Sequence, residues 1–261
     1  MGEQCIILAG GLGTRMRQLN SSVPKALLPV NGLPFIDHQL GWIGAHGVDE
    51  VVLAIGYLGQ QLRDHVGTGE RYGLRVRFVD EGEVLRGTAG ALRFALDSGA
   101  LRERFLLTYG DSYLPVDFGA FAAAFARCGA PAMMTVVRNE GRWDKSNTIV
   151  DGGSIVLYDK RPSAADYARM NHIDYGLLAF ERSVIEQRVE AGARADLADV
   201  LHRLSLERSL AAYEVMDRFY EIGSMQGLAD LEAFLAARTV ASDLGASNLG
   251  AVELGLDREE R

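Results

Sequence analysis

Cysteine is scarce. The chain has two, Cys5 and Cys128, and they form neither a disulfide framework nor a metal-ligand spacing. Cys5 lies in an apolar run and reads as a small core residue. Long hydrophobic runs are missing as well. None approaches the roughly 18 residues that span a bilayer, so no membrane partner is expected. The opening MGEQ is not basic and the apolar run after it is short, which argues against a secretory signal. Ile6 stands where N-myristoylation wants serine or threonine. A reducing, cytoplasmic setting is the reading these absences favour. A basic excess is absent too: 27 Lys and Arg face 35 Asp and Glu, for a net charge of −8. That excludes broad nucleic-acid binding. It leaves a small phosphorylated ligand open, because a few cations can reverse the field inside one cleft. There is no internal repeat, no Pro/Gly/Ser linker, and no Ser-His-Asp or Cys-His pattern.

What is present is an ordinary globular balance, with 48% hydrophobic and 24% charged residues in 261. One large or two small domains are possible. Apolar, β-branched runs alternate with helical patterns. QCIILA, VDEVVLAIG, LRVRFVDE, RFLLTYGD and PAMMTVVRN read as strands. Between them, Pro34 to His46, GQQLRDHVG, TAGALRFALDSG and DFGAFAAAFARCG read as helices, several closed by glycine. This is the rhythm of a parallel sheet covered on both faces. After Asn139 it changes. NTIVDGGSIVLYD reads as a hairpin turning at Asp151-Gly152-Gly153. DYGLLAFE is a strand, Arg182–Glu190 and Leu197–Ser205 are helical, LAAYEVM and FYEIG are extended, and Ser224–Ala237 is a last amphipathic helix. The reading is one α/β domain over residues 1–238, with a nucleotide-binding part over about 1–138 and a smaller part over about 139–222. Residues 239–261 form a peripheral tail.

The chemistry starts where the first strand ends, in CIILAGGLGTRM. The dinucleotide fingerprint wants a third glycine where Met16 stands, and the Walker loop wants a lysine that is missing. Yet Gly10, Gly11 and Gly13 allow close backbone approach and leave N–H groups to meet anionic oxygens. Thr14 adds a hydroxyl, and Arg15 adds a planar fork suited to phosphate. A plain turn with a surface arginine is the alternative. In SVPKALLPVNG, Pro24 and Pro29 stiffen the chain around Lys25; by itself Lys25 reads as a snorkelling lysine.

The pair LAGGLGTRM and PKALLPVNG resembles the sugar-1-phosphate nucleotidylyltransferases, and the likeness runs weakly to about Leu235. It is closest in look to the guanylyltransferases for mannose- or heptose-type 1-phosphates. The resemblance implies a Rossmann-like, mostly parallel α/β sheet of the GT-A-like kind, with a smaller sugar-binding part. It implies that Leu8, Ala9, Gly10, Gly11, Gly13 and Thr14 bind the nucleotide, that Arg15 holds the departing pyrophosphate, and that Lys25 contacts phosphate at the reacting centre.

Three later stretches extend it. In LRGTAGAL, the family pattern puts Gly87, Thr88 and Gly90 beside the base and ribose; a helix N-terminus also explains Thr88. In TYGDSYL, Asp111 follows a buried strand at the end where open α/β sheets bind ligands, and the resemblance makes it a Mg²⁺ ligand. In FYEIGSMQGL, Glu221 replaces the aspartate that completes the family's metal site. The longer carboxylate is expected to serve as ligand, the alternative being that this position has lost that role. On the sugar side, YDKRPS keeps Lys160 but inserts Arg161 before Pro162. NHIDYGLLAF puts Asp174 and Gly176 where the family often has Asn-Ala-Gly. Asn147, in RWDKSN, lies where the sugar pocket would be entered. Asn147, Lys160, Asp174 and Gly176 are therefore the expected sugar-phosphate residues, with Tyr175 a packing candidate. His38, His46, His65 and His202 fall on helices and are expected to do nothing catalytic; His172 is near a site.

The resemblance implies Mg²⁺ as cofactor and an NTP and a sugar 1-phosphate as partners, in a monomer or small homo-oligomer. GTP is favoured, because the glutamine that pyrimidine-selective relatives place before Gly-Thr is missing from FVDEGEVLRGT. Uridylyl, thymidylyl or cytidylyl transfer stays open. A glycosyltransferase would want Asp-x-Asp, but Ser112-Tyr113 follow Asp111. A silent nucleotide-sugar-binding homologue is the third possibility.

Overall fold

The computed structural model describes residues 2–11, 22–82, 84–139 and 141–252. Strand β1 (Glu3–Leu8) is followed by two-residue strands β2 (Pro29–Val30) and β3 (Leu33–Pro34), then α1 (Phe35–Ala45), β4 (Val48–Ile55), α2 (Gly59–Val66) and β5 (Arg75–Asp80). Next come α3 (Gly87–Asp97), β6 (Arg104–Tyr109), the short β7 (Ser112–Tyr113), α4 (Phe118–Cys128) and β8 (Ala132–Arg138). The second half adds β9 (Thr148–Asp151), β10 (Ser154–Tyr158), α5 (Ala164–Tyr167), β11 (His172–Glu181), α6 (Arg182–Arg188), α7 (Leu197–Leu206), β12 (Leu210–Val215), the short β13 (Tyr220–Glu221) and α8 (Met225–Val252).

Nine strands make one sheet in the order β5-β4-β1-β6-β11-β8-β12-β10-β9. β5, β4, β1 and β6 are parallel, while β11 runs against both β6 and β8. Strands after Asn139 thus continue the same sheet. The hairpin expected at Asp151-Gly152-Gly153 joins β9 to β10, with both glycines at positive φ. Gly99 and Gly129 follow α3 and α4 in the left-handed conformation, the position that glycine fills without strain.

Alternation along β1 divides the core. Cys5 and Ile7 face α1, α2 and α4, where Leu40, Leu62 and Phe121 are buried. Ile6 faces α3, α6 and α7, where Leu92, Ile185 and Leu201 are buried. Helices therefore cover both faces, and the strands are apolar on both sides. The expected helix over Ser224–Ala237 runs on to Val252. Its first turns pack a smaller cluster of Val30, Phe35, Tyr113, Ile222 and Leu231, which holds β13 against β7. No helix among the described residues is long and apolar enough to cross a membrane.

Gly227, in the first turn of α8, is pressed onto the strand beneath it: a Cβ there would lie 2.0 Å from the Glu221 carbonyl oxygen. Gly227→Ala is expected to cost roughly 1–3 kcal/mol through the forced backbone shift. A urea midpoint equal to that of the parent chain would count against this contact.

Candidate active site

The ladder continues past the ends of the parallel strands. Ala9 N–H donates to Ala54 O (2.9 Å), Gly110 N–H to Leu8 O (3.0 Å) and Glu81 N–H to Ile55 O (2.9 Å). The residues one step further, Glu81, Gly56, Gly10 and Asp111, therefore stand abreast at the carboxyl edge. Side chains cannot fit between them. A Cβ on Gly10 would lie 2.9 Å from Glu81 Oε1, and one on Gly110 would lie 2.8 Å from Ala9 Cβ.

This edge is the floor of a cavity of about 530 Å³. Leu8, Ala9, Gly10, Gly11, Lys25, Gly87, Thr88 and Asp111 line it, so eight of the expected residues come together. Arg15, Gly13 and Thr14 lie outside the described residues. Gly90 is buried behind the cavity, where a Cβ would lie 2.6 Å from Ala193 O. Gly87 has φ +71°, and its Cβ would lie 2.4 Å from Ala195 O. Both glycines thus also serve packing of α3 on the segment before α7. Thr88 does not cap its own helix. Its hydroxyl donates to Asp196 Oδ1 (3.0 Å) and accepts from Leu197 N–H (2.8 Å).

Lys25 is no snorkelling surface charge. Pro24 and Leu28, both extended, bracket a single 3-10 turn. The turn directs Nζ to Asp111 Oδ2 at 2.7 Å, with the lysine side chain 18% exposed and the aspartate 42%. The Glu221 backbone is brought beside this segment by strand pairing. β13 pairs with β7 so that Glu221 lies opposite Ser112, and Ile222 N–H donates to Asp111 O (3.0 Å). Asp111 lines the cavity, and Glu221 offers a second hard oxygen donor on the adjacent, paired segment. No group of three or more His, Cys, Asp or Glu stands ready for a metal among the described residues. Two carboxylates with room for water and phosphate oxygens suit Mg²⁺, which keeps much of its hydration, so the residues present fit that ion.

The residues expected on the sugar side form a second cluster. Asp174 N–H donates to Asn147 Oδ1 (3.0 Å), Gly176 N–H donates to Asp174 Oδ1 (2.9 Å), and the Tyr158 hydroxyl donates to Asp174 Oδ2 (3.2 Å). Asn147 thus acts through Asp174, using its carbonyl to fix the strand. Burial pushes the Asp174 carboxyl up; Lys160, the Gly176 N–H and the Tyr158 hydroxyl pull it back down in part. Burial would also raise Asp196, but the Ala198 N–H, the Thr88 hydroxyl, Lys160 and Arg161 outweigh it and hold that carboxyl below its usual range. Lys160, itself exposed, thus lowers both carboxyls through its charge alone. Tyr175 is buried and meets Phe219 edge-on at 5.7 Å, as packing.

Sequence reasoning missed Glu81, Tyr109, Tyr158, Asp196 and Arg194. Tyr109 lines the cavity at the end of β6. Burial first, and then Asp174, Asp196, Asp111 and Glu221, drive its phenol well above the ordinary value. It stands between the cavity and the Asp174 cluster. The only available signal was its place directly before Gly110-Asp111.

The nucleotidyl transferase family model matches residues 4–238. The chain belongs to the nucleotidyl transferase family. Among curated relatives, it is 29% identical over 183 residues to a putative mannose-1-phosphate guanyltransferase of Sulfolobus acidocaldarius, covering 70% of this chain and 49% of that one. It is 28% identical over 241 residues to the N-acetylmuramate alpha-1-phosphate uridylyltransferase of Neisseria meningitidis, covering 90% and 99%. The match covers between 30% and 57% of the length of four of the curated relatives. A solved putative glucose-1-phosphate thymidylyltransferase from Bacillus anthracis shares the fold, with a TM-score of 0.75 at 19% identity over 89% of this chain and 94% of that one. HddC from Yersinia pseudotuberculosis, complexed with GMP-PN, does so with a TM-score of 0.70 at 21% identity over 87% and 97%.

The raised Asp174 carboxyl sets a sign. The folded state binds its proton more tightly than the unfolded chain, so Asp174 detracts from stability as pH rises from about 3.9 to its higher folded value. Measured by urea unfolding, the stability of the parent chain relative to Asp174→Asn should fall across that window. A flat difference would show the carboxyl to be unshifted.

Proposed function

We propose that this chain transfers a nucleotidyl group from a nucleoside triphosphate to a sugar 1-phosphate, releasing pyrophosphate and an NDP-sugar. GTP is the favoured donor, a hexose or heptose 1-phosphate the favoured acceptor, and Mg²⁺ the cofactor. The observation that carries the reading is the Lys25–Asp111 pair, 2.7 Å apart, in a cavity that Gly10, Gly11 and Gly87 also line. The names of the mannose and heptose guanylyltransferases among its relatives agree with it.

A phosphate oxygen of the sugar attacks the α-phosphorus; a new P–O bond forms, the α–β bond breaks, and its electrons leave with pyrophosphate. The nucleophile is already an anion, so no general base is required, in keeping with the missing Ser-His-Asp pattern. The difficulty is that two anions must meet. Lys25 and Lys160 supply positive charge against the negative charge that gathers, and the resemblance adds Arg15 as the residue that holds pyrophosphate. Lys25 moves from Asp111 to phosphate as the site fills. Gly10 and Gly11 present backbone N–H groups to the triphosphate. Asp111 and Glu221 would hold Mg²⁺, which supplies charge neutralisation at the transferred phosphate. The domain division, with nucleotide binding over about 1–138 and sugar binding over about 139–222, belongs to the same proposal. Uridylyl, thymidylyl or cytidylyl transfer is the second reading, supported by the uridylyltransferase that matches over 90% of this chain.

A pyrophosphate-release assay with Mg²⁺, crossing the common NTPs with a panel of sugar 1-phosphates, tests both readings. Lys25→Ala and Asp111→Asn should each lower turnover by about a hundredfold or more, with the thermal midpoint retained. Full activity in Lys25→Ala would remove the lysine from the mechanism, and no release with any pair would favour a silent binder.

A further inference from the structure

Helix α1 buries Phe35, Ile36, Leu40 and Ile43 along one apolar stripe. Gln39 falls on the same stripe and is only 3% exposed. A long amide is out of place there, and its bonds show what it does. Nε2 donates to Tyr109 O (2.8 Å) and to Ser112 O (2.8 Å), 70 and 73 residues away. Two carbonyl acceptors can be met only by the nitrogen end of the amide, so its orientation is fixed. Oε1 is then left buried, with no hydrogen-bond partner among the described residues. Packing alone would be served by leucine or methionine, with no Oε1 to leave unpaired.

The two carbonyls that Gln39 holds are the first and last of the turn Tyr109-Gly110-Asp111-Ser112. The inner residues are tied as well. Gly110 N–H donates to Leu8 O (3.0 Å), and Asp111 O accepts from Ile222 N–H (3.0 Å). The backbone on either side of Asp111 is therefore clamped, which fixes the direction in which its side chain leaves the turn. The same helix holds the other half of the ion pair. Phe35 N–H donates to Leu28 O (2.9 Å), and His38 Nε2 lies 2.9 Å from Val30 O, both just beyond the turn that carries Lys25. Trp42 Nε1 donates to Val116 O (3.0 Å) one helical turn further on. Thus α1 joins the segment of Lys25 to that of Asp111 independently of their 2.7 Å contact. Of these tethers from α1, only Gln39 acts on the Asp111 turn itself.

We infer that Gln39 is a positioning residue: it sets the Asp111 carboxylate in register with Lys25 and in place for a divalent cation. The inference rests on the nucleotidyl-transfer reading above. Gln39 does not line the cavity, so it acts only through the turn. A ligand to a metal beside a reacting phosphate must be held to within about 0.5 Å of its productive place, and the groups behind it do that holding.

Two variants test this. Gln39→Met keeps the length and removes both donors, and Gln39→Asn keeps an amide that is one methylene short. Ile43→Val, which loses one methyl from the same stripe, is the control for plain destabilisation. Each full-length chain is followed by pyrophosphate release, by Mn²⁺ titration read from the free-ion EPR signal, and by its thermal midpoint. In Gln39→Met, kcat should fall and the Mn²⁺ dissociation constant should rise, each by about tenfold or more. Gln39→Asn should lose less of both, and it carries the test if Gln39→Met does not fold. Ile43→Val should lower the midpoint and leave kcat and Mn²⁺ affinity unchanged. Unchanged kcat and Mn²⁺ affinity in a folded Gln39 variant would overturn the inference, and so would equal losses in Ile43→Val. Pyrophosphate release by the parent chain, with Gln39→Met at full rate, keeps the transferase reading and removes the clamp. No release by the parent chain from any pair defeats the transferase reading by itself. Mn²⁺ affinity then decides the clamp by the same comparison, and a parent chain that binds no Mn²⁺ overturns it.

Discussion

Tyr109, Leu8, Ala54 and Val79 lie side by side in one continuous rung of parallel ladder, and the chemistry of the molecule depends on that rung. Buried backbone N–H and C=O groups must be paired. A slip of one residue in any strand would also turn its apolar faces outward. The register is therefore held from both sides by the two packed helix layers. Once it is held, the residues just past each strand have no choice of neighbour. Glycine is required at Gly10 and Gly110 because adjacent loops run within contact distance, and the polar groups that remain all face one opening.

The electrostatics of that opening invert the usual relation between a lysine and its surroundings. Asp111 and Glu81 line the cavity, and Asp174, Asp196 and Glu221 act with Asp111 on Tyr109 at its edge, in a chain that is already acidic. Lys25 is not placed there by hydrophobic packing of its stem alone. It is drawn inward by Asp111, and the two prolines around it limit the other positions its backbone can take. Lys160 is exposed and lowers Asp174 and Asp196 through its charge, without the direct pairing that holds Lys25.

Most of the framework was legible in the sequence because it rests on period and punctuation. The strands of the first half are continuous apolar runs, and the helices after them carry glycine stops that the structure places at positive φ. The two-residue strands β7 and β13 carry no periodicity at all, so the pairing that brings Glu221 to Asp111 could be reached only through resemblance. Glu81, Tyr109 and Asp196 were invisible for a related reason. Each is one polar residue at the end of an element, and its meaning comes from neighbours distant in the chain. Thr88 was read with two local roles and has a tertiary one. Gly87 and Gly90 were read as ligand-facing, and their backbone also meets Ala195 and Ala193. Arg15, Gly13 and Thr14 fall outside the described residues and stay as the sequence presented them.

The Thr88 hydroxyl joins two segments more than a hundred residues apart, donating to the residue that caps α7 while receiving the N–H of Leu197. Ala195 accepts from the N–H groups of Ala89 and Gly90 in the same place. The start of α3 is therefore completed by chain from the second half. A fragment ending before that segment would carry the glycine turn, Lys25 and Asp111, but would leave the helix above the cavity with its first N–H groups unpaired. The two halves of this molecule are separable on paper by sequence, and inseparable as folding units.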